Sequence, residues 1–189
     1  MNETIKTILS RRSVRSYSPE QIKQEELDLI IKAGLYAPSA HNEQSWHFTV
    51  IQDKKLIDVL NQASKEAMLK LEDEHLEKFG ADENYNLFYG APTVITVSGE
   101  KSAMIPHTDC AAAIQNMLLA AESLNIGTCW IGLVTPLFKS DRAPEFAKAL
   151  GVPEGYELYY AITVGYKKEE NAQPASRREN TVNFIKKAE

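Results

Sequence analysis

Apolar residues along the chain fall into two kinds of spacing. Ile5, Ile8 and Leu9 share one face of a helical segment over residues 4–10, and Leu27, Ile30, Ile31, Gly34 and Leu35 recur at i, i+3, i+4, i+7 and i+8. The second stripe predicts an amphipathic helix beyond Ser18-Pro19-Glu20, a helix-start or turn signal, and stopping before Pro38. A third helix is predicted over residues 54–78, where Leu56, Val59, Leu60, Ala63, Ala67 and Leu71 keep the rhythm; its charged end, near Phe79 and Gly80, reads as a mobile, solvated arm. Residues 109–125 are apolar nearly all round, as expected of a central helix, and residues 144–150 make a short helix closed by Gly151.

Strand spacing is equally clear. Residues 46–51 alternate between polar neighbours, and Thr93-Val94-Ile95-Thr96-Val97-Ser98, after Gly90-Ala91-Pro92, is a short β-branched run suited to a buried strand. Residues 128–131 and 158–164 read as two more, the last ending at Gly165-Tyr166. A chain of 189 residues with this interleaving is expected to form a single domain over residues 1–189. Its end, residues 167–189, is polar, and to stay ordered it needs a partner surface, which points to a second subunit.

Composition narrows the partners. Hydrophobic residues make up 43% and charged residues 25%, an ordinary balance for a folded protein. A net charge of -5 argues against nucleic acid, and the absence of a long apolar run argues against a membrane span. No export signal stands at the N-terminus, and Cys110 and Cys129 form neither a disulfide framework nor zinc-ligand spacing, so a cytoplasmic protein with two inert core thiols is expected. His41, His47, His75 and His107 show no metal spacing, and no metal is expected. Asp109, at the start of the apolar helix, is placed as a cap or first-turn carboxylate.

Against this acidic background, Arg11-Arg12-Ser13-Val14-Arg15-Ser16-Tyr17 concentrates three guanidinium groups. Guanidinium forks suit bidentate phosphate recognition; cations complementing the C-terminal dipole of the first helix are the alternative. Neither a Gly-x-Gly-x-x-Gly after a strand nor a Gly-Lys-Ser/Thr loop occurs, so any bound phosphate must be held by side chains.

Taken in order, Arg-Arg-Ser-x-Arg-x-Tyr, then residues 37–46 (Ala-Pro-Ser-Ala-His-Asn-Glu-Gln-Ser-Trp), then residues 125–132 (Asn-Ile-Gly-Thr-Cys-Trp-Ile-Gly), then Val164-Gly165-Tyr166 with a downstream Arg177-Arg178, the chain resembles the nitroreductase family across almost its whole length. The resemblance implies an α+β fold with a mostly antiparallel central sheet flanked by helices, an intertwined homodimer, and flavin mononucleotide (FMN) in the interface. It places Arg11 and Ser13 on the phosphate, Arg12 at the phosphate or ribityl end, and Arg15 near flavin N1 and the C2 carbonyl. Pro38, Ser39, Ala40, Asn42 and Gln44 match the segment that reaches the cofactor from the neighbouring subunit. Ile131 and Gly132 match the loop whose backbone amide faces N5, and Arg177 the late phosphate arginine, with Arg178 as its near equal. Ser45 departs from the pattern, which often has Pro there, and is expected to loosen the entry to the strand. Trp130 packs near the ring or in the core.

The implied activity is an NADH- or NADPH-dependent oxidoreductase that passes electrons through FMN to nitroaromatic or quinone acceptors in a ping-pong cycle. The cofactor carries the chemistry at N5, so no catalytic side chain is expected. Residues 68–88 and the interface helices would cover the flavin face. The alternatives are an FMN storage or regulatory module, a dehalogenase or flavin-fragmenting enzyme of the same fold, and a flavin-free structural dimer.

Overall fold

Four strands form one antiparallel sheet in the order β1-β2-β4-β3, comprising β1 (Trp46–Ile51), β2 (Thr93–Glu100), β3 (Ile126–Ile131) and β4 (Tyr156–Tyr166). The computed structural model describes residues 1–169 and 173–186. β2 is buried along nearly its whole length, so its β-branched residues face apolar layers on both sides. On one face lie α2 (Gln24–Leu35) and α5 (Pro106–Ser123), whose Ile30, Ile114, Met117 and Leu118 pack on Ile95, Val97 and Ile162. On the other face α3 (Lys54–Met68), α6 (Thr135–Phe138) and α7 (Ala143–Ala149) bring Leu60, Met68, Leu137 and Phe146 against Val94, Ile131 and Ala161. The α+β class and the antiparallel sheet are as expected.

Of the two readings of Ser18-Pro19-Glu20 the turn holds, since α2 begins only at Gln24. In the intervening stretch Gln21 is drawn away by a long-range bond, its Nε2 donating to Pro92 O at 2.6 Å, and in the first turn of α2 Glu26 accepts from Lys23 N at 3.0 Å and from the Tyr166 hydroxyl at 2.6 Å. Three other expectations need correction. The helix expected over residues 54–78 is two helices, because Asp73 caps a new one, α4 (Glu74–Ala81), by accepting from His75 N and Leu76 N at 2.9 and 3.1 Å. α4 is packed rather than free, with Leu76 and Phe79 against the core. Leu35, assigned to the buried stripe of α2, is half exposed.

Several apolar surfaces lack a cover among the described residues. α1 (Glu3–Ser10) has the predicted stripe, yet none of its residues is buried. α5 buries one face, while Ala111, Ala112 and Leu119 on its other side are only half covered. Residues 173–186 have no regular structure and expose Val182, Phe184 and Ile185; residues 170–172 and 187–189 of the predicted tail lie outside the described residues. No described helix is long and apolar enough to cross a membrane.

Candidate functional site

After α1 ends, the arginine run is laid across the far end of the β3–β4 pair by backbone bonds. Ser13 forms a parallel bridge with Thr128, Val14 N donates to Thr128 O at 2.9 Å, and Ser18 N donates to Tyr166 O at 2.9 Å. The run can lie this close because two glycines stand opposite each other there. A Cβ on Gly127 would come 2.9 Å from Val14 Cγ1, and one on Gly165 would come 2.9 Å from Pro92 Cδ and 3.0 Å from Tyr17 Cδ1. Buried Tyr17 locks the arrangement: its hydroxyl lies 2.7 Å from both Val14 O and Thr163 Oγ1. Burial pushes its ionisation far above the usual tyrosine range, so it stays a neutral donor.

Arg11, Ser13 and Arg15 all act on the buried Cys129 thiol of β3. Burial raises its pKa, while the charge of Arg15, a hydrogen bond with Ser13 and the charge of Arg11 pull it back, in that order. Arg12 takes a different direction. Its Nη1 donates to Leu9 O and Arg11 O, both at 2.7 Å, which places this cation at the C-terminal end of α1 as in the alternative reading of the run.

The second expected segment, residues 38–44, forms a tight 3-10 turn with three non-glycine residues in the left-handed region: His41 at φ 50°, Asn42 at 57° and Gln44 at 49°. Each such residue costs on the order of 1 kcal/mol or more, and strain of this kind persists only where surrounding bonds hold it. Asp109 of α5 supplies two of those bonds. Asp109, 2% exposed, accepts from Ala40 N at 3.0 Å and from Ser45 Oγ at 2.8 Å. Ser39 Oγ accepts from Gln44 N at 3.0 Å, and Glu43 accepts from Met104 N at 2.9 Å. Ser45 therefore corrects an expectation: fully buried and bonded to Asp109, it ties the strand entry down rather than loosening it.

Ile131 is buried at the end of β3, and Gly132 follows with no atom within 4 Å of where its Cβ would be. The open space belongs to a cavity of about 590 Å³ walled by Ala67, Leu71, Leu76 and Pro136, with Lys70, Lys139 and Arg142 among its charged groups. Trp130 is half-buried, edge-on to Tyr160 at 5.1 Å. Arg177 lies in the exposed terminal segment, where it donates to Ala175 O, and Arg178 is exposed beside it. Cys110 is pushed up to about 12 by burial first and then by Asp109, consistent with an inert thiol.

Within one chain the two expected halves do not meet. Residues 38–44 are tied to Asp109 in the first turn of α5, whereas Ser10, next to Arg11, bonds to Glu122 in its last turn. The thirteen residue steps of helix from Asp109 to Glu122 separate them by roughly 20 Å. Gly127, Gly165, Tyr17, Ser45 and Asp109 were not singled out as site residues, yet they position the ones that were. Tyr17 and the glycines stood within the quoted motifs; the Ser45–Asp109 pairing leaves no local signal.

A family model described as the nitroreductase family matches residues 8–166. A crystal structure of a nitroreductase with bound FMN from Bacteroides fragilis is 37% identical to the chain, covers 98% of it and 100% of its own length, and superposes with a TM-score of 0.91. A relative from Archaeoglobus fulgidus, provisionally named an NADH dehydrogenase/NAD(P)H nitroreductase, is 32% identical over 90% of this chain and 88% of its own. The FMN reductase (NADPH) of Bacillus subtilis is 26% identical, with 97% of this chain and 76% of that protein aligned.

Proposed function

The chain belongs to the nitroreductase family, and from that premise we propose that it is an FMN-dependent oxidoreductase carrying electrons from NADH or NADPH to a small acceptor such as a quinone or nitroaromatic. The observation that carries the reading is the seating of Arg11, Ser13 and Arg15 at one end of the sheet, on a run fixed by the Ser13–Thr128 bridge and the β3–β4 glycines. This set fits FMN: two guanidinium groups and a hydroxyl for an anionic phosphate and an electron-rich ring edge, and a backbone amide at Gly132, which lines the cavity. The FMN-bound relative and the FMN reductase support the same cofactor.

In this reading Arg11 and Ser13 bind the phosphate. Arg15 supplies a fixed positive charge at the ring edge near N1 and the C2 carbonyl, and Gly132 N–H orients N5. When bound, FMN supplies the two-electron chemistry, and its reduced form carries the negative charge that Arg15 stabilises. Arg12 serves the end of α1, and Arg177 or Arg178 adds a late cation to the phosphate. The cavity beside Gly132 receives nicotinamide and acceptor in turn, which makes the cycle ping-pong, and its apolar wall excludes water during transfer.

A second copy completes the site. Pro38, Ser39, Ala40, Asn42 and Gln44 lie roughly 20 Å along α5 from Arg11, so they serve the partner's cofactor. The uncovered apolar faces of α1 and α5 and the exposed Val182, Phe184 and Ile185 supply the surface for a homodimer.

The deciding experiment is the visible spectrum of the purified protein, before and after NADH and NADPH are added separately. A yellow protein that bleaches with either nucleotide and recovers with a quinone is expected. Flavin that stays oxidised under excess nucleotide would favour a storage role, and a colourless protein that takes up no FMN would remove the cofactor reading.

A further inference from the structure

Arg15 is a largely exposed cation in an acidic chain, yet among the described residues no carboxylate lies within ion-pair distance of it. Its guanidinium instead stands over the ring of Tyr89, with Cζ 5.7 Å from the centroid. Tyr89 is held from two sides. Its hydroxyl is 3.2 Å from that of Tyr85, which packs on Phe79 of α4 at 4.8 Å between ring centres, and its ring rests against Val14, Tyr17 and Ala91. Its backbone is strained: φ is 54°, in the left-handed region that a bulky aromatic residue rarely adopts. Gly90 follows at φ 67°, so the turn keeps its glycine at the second position and places an aromatic ring at the first.

We propose that Tyr89, braced by Tyr85, is a positioning residue for Arg15, holding the guanidinium at the ring end of the cofactor cradle. The inference rests on the reading of Arg15 as the cation beside N1 and the C2 carbonyl. A tyrosine suits this task better than a carboxylate would. An aspartate or glutamate at the same place would fix the arginine but neutralise it, whereas the π-face of a neutral ring orients the cation and leaves its full charge for the ligand. A long arginine side chain left unguided would spread that charge over many rotamers; the ring restricts it to one side of the run.

The test is the midpoint potential of bound FMN, read by equilibration with a reference dye, in a double-mutant cycle. Tyr89→Leu keeps apolar bulk against Val14 and Tyr17 but removes the π-face, and is expected to weaken the preference for reduced over oxidised FMN by about three- to tenfold. Tyr89→Phe keeps the face but loses the hydroxyl that meets Tyr85 and steadies the Arg15 charge, and should fall between the wild type and Tyr89→Leu. In an Arg15→Ala background, Tyr89→Leu should change nothing further, because its effect runs through the arginine. A shift of equal size in that background, or none in the wild-type background, overturns the proposal.

A readout on the FMN-free protein separates this inference from the cofactor reading. The Arg15 Nε–Hε resonance should carry a ring-current shift that disappears in Tyr89→Leu, and a resonance that does not move overturns the Tyr89 contact whatever the flavin does. A wild-type protein that binds no FMN overturns the cofactor reading and with it the cradle role of Tyr89, even where the resonance moves.

Discussion

Gly127 and Gly165 face each other across β3 and β4, and the space their missing side chains leave is filled by Val14 and Tyr17. The arginines are thus placed by two residues that carry no functional group. Gly165→Ala puts a methyl group 2.9 Å from Pro92 Cδ and 3.0 Å from Tyr17 Cδ1, against a ring locked by hydrogen bonds. The variant should lose about 1–3 kcal/mol of stability by overpacking. It should also bind FMN at least several-fold more weakly; denaturant titration and quenching of FMN fluorescence measure the two effects. Unchanged FMN affinity would show that the glycine groove does not position the run.

Ser45→Ala leaves one oxygen of buried Asp109 without its partner. The expected loss is about 1–3 kcal/mol in chemical denaturation, the range for stranding a buried polar group. Because Asp109 also holds Ala40 N, the left-handed turn should relax, and protease sensitivity near His41 should rise with it.

A pH-dependent effect is expected at Glu26. The hydrogen bond from the Tyr166 hydroxyl comes first among the causes that hold this carboxyl below its usual range. A folded-state value below the unfolded one gives stability that is complete above the unfolded pKa and lost as pH falls through the folded value. Tyr166→Phe should therefore destabilise at neutral pH, and the difference from wild type should shrink to nothing on the acid side of the carboxylate range. Parallel denaturation curves at several pH values measure it; a difference independent of pH would assign the loss to packing.

The two arginines of the cradle should fail differently. Arg11→Ala is expected to purify largely without FMN, and Arg15→Ala to retain some FMN at a lowered reduction potential. Absorbance ratios and dye equilibration read the two outcomes, and full occupancy with unchanged potential in both variants would sink the site assignment.

Sedimentation velocity tests the two-chain site. The expected species has twice the 21.2 kDa chain mass, and FMN should be released on dilution as the subunits part. A monomer with FMN fully bound would refute the shared site.

Much of this architecture was legible in the sequence because burial dictates spacing. The β-branched run of β2 is readable since that strand is covered on both faces, and the stripe of α2 since only one face is covered. The break between α3 and α4 was hidden because apolar spacing runs on from Ala67 through Leu71, while the Asp73 capping signal sits within a charged stretch that reads as a wet helix face. Whether Ser18-Pro19-Glu20 starts the helix or makes a turn is decided by partners far along the chain, Pro92 and Tyr166, which no local pattern reveals.

The candidate site shows the same division. Residues 11–15 were readable as a cation cluster, but not the turning of Arg12 onto Leu9 O, nor the ring of Tyr89 beneath Arg15. Ser45 was misread because its partner lies 64 residues away. In each case the residue type was visible and the partner was not.

The bond between Tyr17 and Thr163 spans 146 residues of chain. At ordinary rates of synthesis the arginine run leaves the ribosome roughly 10–30 s before the strand that will seat it. The groove therefore cannot form until β4 has been made. A product that stopped short of β4 would carry Arg11, Ser13 and Arg15 without the surface that aims them.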